Sequence, residues 1–148
     1  VFSRIYGKGR PFRLFVAGLH GNEWKDTSRL LMSLQPPSKG TLMLVPLINK
    51  ERYVSTLDSR YYGGPGRHIA ELIDTYNPEV YVEFHSYRKE NFDHLTGMDR
   101  INHTGVPAYS VLEQGVLVGS VSPNIRLSFP PEALCLSFEM EKGNPESG

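Results

Sequence analysis

Apolar residues gather in four short runs along the chain, at 12–19 (FRLFVAGL), 41–48 (TLMLVPLI), 80–85 (VYVEFH) and 134–140 (LCLSFEM). Each has the length of a strand; the first two read as buried strands, and the third and fourth as further strands of the same sheet. Pro46 confines the second run to a sheet edge or a strand end, because proline cannot donate to a ladder. Over 23–34, Trp24, Leu30, Leu31 and Leu34 are spaced for one helical face, and Pro36-Pro37 stops the pattern. Ile69, Leu72, Ile73 and Tyr76 repeat that spacing over 67–76, ending before Asn77-Pro78. Residues 49–66 are polar and rich in Arg, Tyr and Gly, a loop longer than a connection alone requires. After the polar stretch 88–105, residues 106–121 supply further strand material.

Strand, helix, strand, loop, helix, strand and then more strand predicts an α/β fold with a mainly parallel sheet. Sites in such sheets lie beyond the carboxyl ends of the strands. His20, Asn49, His85 and the pair Glu139/Glu141 each fall at or just past a predicted strand end. Parallel strands would bring these groups to one rim.

The 148 residues fit one domain with a sizeable core. Lys+Arg and Asp+Glu balance at 16 each, which argues against nucleic acid and against a charged membrane surface as partner. No run approaches the roughly 18 apolar residues of a membrane span, and no signal peptide is visible. The lone cysteine, Cys135, permits no internal disulfide and favours a reducing, cytoplasmic setting. A small molecule or peptide is the expected partner.

His20-Gly21-Asn22-Glu23 sets an imidazole and a carboxylate three residues apart where a strand turns into a helix, with Gly21 relieving the turn. Both side chains can face one ion. His85, closing another strand, makes a third ligand and leaves a position open, as catalytic zinc sites require. A second His-x-x-Glu, at His68 and Glu71, sits inside an amphipathic helix with no glycine turn before it and reads as a solvated face. His94 and His103 lie in the polar stretch and read as loop histidines.

These motifs resemble the zinc carboxypeptidase superfamily, and most closely its succinylglutamate desuccinylase/aspartoacylase branch. The likeness rests on Gly18-Leu19-His20-Gly21-Asn22-Glu23 after a strand, on His85-Ser86 at a strand end, and on Arg52-Tyr53 eight residues before Arg60. Leu136-Ser137-Phe138-Glu139-Met140 with Lys142 and Pro145 is similar to the Glu-bearing strand of that branch. The resemblance implies a three-layer α/β/α carboxypeptidase-like domain with a mixed, mainly parallel sheet, of the short single-domain kind found in archaea. It also implies that His20, Glu23 and His85 hold one zinc ion and that Glu139 is the general base. By the same likeness Arg52 stabilises the oxyanion and Arg60 binds a substrate carboxylate. Ser59 stands where the branch has Asn, and Asn49-Lys50 where it has Asn-Pro.

The expected activity is therefore zinc-dependent hydrolysis of an amide bond in a small N-acyl amino acid or short peptide, by a deacylase or a carboxypeptidase-like enzyme. Asn49, Ser59 and Arg88 complete the expected substrate-binding set. Residues 1–148 are expected to form a single catalytic-type domain without the branch's C-terminal β-domain, a gap that a homo-oligomer could close. The alternative is a metal- or peptide-binding module of the same fold without turnover.

Overall fold

The computed structural model describes residues 1–50 and 53–143. Four parallel strands form the centre of one sheet. These are β2 (Phe12–Ala17), β3 (Gly40–Val45), β4 (Val80–Tyr87) and β7 (Leu134–Glu141). Antiparallel strands flank them: β1 (Arg4–Lys8) beside β3, and the hairpin of β5 (Ser110–Glu113) and β6 (Val116–Gly119) beside β7. The seven-stranded order is β1-β3-β2-β4-β7-β6-β5. Antiparallel edges on a parallel centre make the expected mixed sheet.

Period-two alternation sorts the side chains onto two faces. Phe12, Leu14 and Val16 of β2, Met43 and Val45 of β3, and Tyr81 of β4 face one way. They pack against Ile69, Leu72 and Ile73 of helix α2 (Arg67–Tyr76) and against Ile125 of the short helix α5 (Pro123–Arg126). Ala17, Leu42 and Leu44 face the other way, against Leu31 of helix α1 (Trp24–Met32). Helices on both faces give the three-layer α/β/α arrangement. Leu14 and Leu44 have no exposure, and burying each such side chain stabilises the fold by about 1.5–3 kcal/mol.

Several boundaries differ from the sequence expectation. β3 ends at Val45, directly before Pro46, so the proline closes a strand that has neighbours on both sides. The polar stretch after β4 holds two one-turn helices, α3 (Phe92–Thr96) and α4 (Arg100–Thr104), with no buried residue in either. No helix among the described residues is long and apolar enough to cross a membrane.

Candidate metal centre

The carboxyl ends of β2, β4 and β7 open into one cleft of about 720 Å³. The turn after β2 carries its first groups. Gly18 and Gly21 have φ of 62° and 61°, a left-handed backbone that a side chain would strain. A Cβ on Gly18 would also lie 2.9 Å from the Pro46 carbonyl. Between and after these glycines the chain turns His20 and Glu23 back over the end of the sheet.

His20, Glu23 and His85 are buried, and each offers a ligand atom within 4.8 Å of the other two. His20 Nε2 lies 3.3 Å from Glu23 Oε2, and His85 Nδ1 lies 3.2 Å from Glu23 Oε1. The opposite ring nitrogens are engaged elsewhere. His20 Nδ1 donates to the Val54 carbonyl at 2.5 Å, and His85 Nε2 donates to Glu83 Oε1 at 2.8 Å. Each imidazole is thereby oriented with its remaining nitrogen toward Glu23, as metal-binding histidines require. Burial would raise the Glu23 carboxyl, but the charge of His85 and hydrogen bonds from His20 and His85 hold it at about 2. His85 moves the other way: burial would lower it, and Glu23 raises it well above the ordinary imidazole value.

Strand alternation places Glu83 and His85 on the same face of β4, and Ser137 and Glu139 on the same face of β7. The register pairs Glu83 with Ser137 and His85 with Glu139. Glu139 is partly exposed as a residue, yet its Oε2 is enclosed and has no hydrogen-bond partner. Burial pushes this carboxyl up to about 7, with His85 pulling the other way. Two imidazoles and a carboxylate with an open side match the donor set of a catalytic zinc site. An unpartnered buried oxygen beside them is what a water held at that open side would satisfy. The residues present fit a zinc ion.

Glu83 is the functional group that the sequence reading passes over. It is 1% exposed and accepts three hydrogen bonds, at 2.6 Å from the hydroxyls of Tyr62 and Tyr81 and at 2.8 Å from His85. Burial and the Glu83 charge hold both phenols well above the ordinary tyrosine value, so they remain donors. The signal was present in the sequence, since Glu83 and His85 stand two apart in a strand. Tyr61, fully buried, ties the same loop to the site by donating to the Leu19 carbonyl.

The remaining expected residues distribute unevenly. Arg88 lines the cleft beside His85 and Glu139. Asn49 starts the long loop with its backbone N–H on the Gly18 carbonyl at 2.8 Å. Ser59 and Arg60 are exposed and lie outside the cleft lining, and Arg60 forks onto Asp58 at 3.1 and 2.9 Å. Arg52 lies outside the described residues. Among the described residues, His20, Glu23 and His85 are the group that could hold a metal ion.

A family model described as "Uncharacterized protein conserved in archaea (DUF2119)" matches residues 8–148. "Uncharacterized protein MJ0501" of Methanocaldococcus jannaschii is 36% identical over 135 residues, covering 86% of this chain and 65% of that protein. Among solved structures, the apo form of cell shape determinant protein Csd4 from Helicobacter pylori is similar with a TM-score of 0.49 and 14% identity, covering 97% of this chain. The tripeptide-bound form of the same protein gives 0.48 with the same identity and coverage. The chain spans 65% of the length of the Methanocaldococcus relative and half that of the Helicobacter structures.

Proposed function

The chain belongs to this archaeal family, and we propose that it is a zinc-dependent hydrolase that cleaves an amide bond in a small N-acyl amino acid or short peptide. The observation that carries this reading is the buried His20/Glu23/His85 cluster, with the unpartnered Glu139 oxygen at its side. A zinc ion held by those three residues would supply Lewis acidity and lower the pKa of a water it binds to about 7.

The rest of the chemistry belongs to the chain. Glu139, with its carboxyl at about 7, is suited to accept a proton from the attacking water and return it to the leaving amine near neutral pH. Glu83, held by Tyr62 and Tyr81, keeps His85 in one orientation through the reaction. Arg52, by its likeness to the branch's Arg-Tyr pair, is assigned the developing oxyanion, a contribution of roughly 3 kcal/mol for one donor. Arg88 lines the same cleft and is a second cation for an anionic substrate. The single cysteine accords with a cytoplasmic enzyme.

The test is turnover of a panel of N-acyl amino acids and short peptides by zinc-loaded protein. Activity should vanish on chelation and return with zinc, and Glu139→Gln should abolish turnover while keeping the metal. Turnover that survives complete removal of metal contradicts the proposal. Full zinc binding without turnover of any of these amides would favour a binding module.

A further inference from the structure

We propose that Arg100, stacked on Tyr109, anchors the substrate's carboxylate in this cleft, the role that the family resemblance gives to Arg60; the inference rests on the hydrolase reading. Arg60 is poorly placed for that work. Its fork is already occupied by Asp58, two residues before it, and both side chains lie outside the cleft lining.

Arg100 has the opposite character. It stands at the start of α4 and lines the cleft together with His85, Ser137 and Glu139. Its guanidinium carbon sits 5.0 Å from the centroid of the Tyr109 ring. Tyr109 is itself fixed, being buried with its hydroxyl bonded to Ser137 Oγ at 2.7 Å. Ser137 precedes Glu139 by two residues on β7, so the stack stands on the same face of the sheet as the general base. The positive charge of Arg100 acts on both Glu139 and Tyr109.

The contact with the ring is made through the guanidinium's charge and uses none of its N–H donors. One donor, Nη1, goes to the Pro107 carbonyl at 3.1 Å, a second point that holds the group in place. Among the described residues no carboxylate pairs with Arg100. A pre-oriented guanidinium with unspent in-plane donors is suited to grip a carboxylate through two hydrogen bonds. The other cations of the lining are less prepared. Lys142 Nζ donates to Asn22 Oδ1, and Arg88 is exposed. The substrate class follows: an N-acyl amino acid, or a peptide end, whose free carboxylate flanks the scissile amide.

The experiment is calorimetric titration with N-acetylglycine and with N-acetylglycinamide, its uncharged counterpart. Both probes are applied to zinc-loaded and metal-free forms of wild type, Arg100→Ala, Arg100→Lys and Lys142→Ala. Wild type should prefer the acid by about tenfold or more, the worth of a bidentate charged contact. Arg100→Ala should lose the preference in both forms, Arg100→Lys should retain a minor part of it, and Lys142→Ala, which removes another cation of the lining, should keep it. Arg100→Lys preserves the charge and stands in if the alanine variant does not fold. A preference absent from wild type, kept in the Arg100 variants, or lost merely by removing zinc would overturn the inference. Failure of wild type to take up zinc would refute the hydrolase reading alone, because the preference is still read on the metal-free chain.

Discussion

Replacing Glu139 with glutamine in the metal-free protein probes the site through stability rather than turnover. The Glu139 carboxyl lies at about 7 in the folded chain, against an ordinary value of 4.5, because burial penalises its charge and Glu23 repels it. Its enclosed Oε2 has no partner to offset that cost. The folded state therefore holds this proton more tightly than the unfolded state does. Stability contributed by the protonated form is complete below 4.5, and is lost as pH rises through about 7. The gap corresponds to roughly 3 kcal/mol. Glutamine keeps the shape and has no proton to lose. Urea unfolding of both proteins at about pH 4 and about pH 8 isolates the effect, since every other titrating group is shared. The stability of Glu139→Gln relative to wild type should rise by roughly 3 kcal/mol between those pH values. A difference independent of pH would refute the enclosed-carboxyl account.

Two further substitutions test the supports of the site. Glu83→Gln removes the charged acceptor behind His85, and the zinc dissociation constant should weaken about 10- to 100-fold in competition with a chromophoric chelator; an unchanged constant would show that this bond does not orient the ligand. Gly66→Ala places a Cβ 2.2 Å from the ring of fully buried Tyr61, whose hydroxyl holds the Leu19 carbonyl next to His20. It should cost about 1–3 kcal/mol in denaturant unfolding, and an unshifted midpoint would count against that packing.

The parts of this fold that show in the sequence are those under the strongest burial constraint. β2, β3 and β4 are mostly buried and appear as apolar runs, as does the less enclosed β7, and α2 has the bounds its periodicity predicts. β1 left no such trace, because Arg4–Lys8 is an edge strand with mostly exposed residues. α3 and α4 are single turns with no buried face, so nothing periodic marks them. The convergence of His20, Glu23, His85 and Glu139 follows from parallel strands ending on one rim, which strand order makes possible and spacing alone does not prove. Arg60 shows the limit. Its distance from Arg52 along the chain carries no information about which way the loop faces, and a local carboxylate, Asp58, takes its fork. Arg100 lies in a stretch without a pattern, and its stack on Tyr109 exists only in three dimensions.

The central claim is that His20, Glu23 and His85 hold one metal ion, and elemental analysis of purified wild type and His85→Ala tests it most directly. About one zinc per chain in wild type, lost in the variant, is the outcome that the donor set predicts. A wild-type protein that carries no metal, even after incubation with zinc, would contradict it.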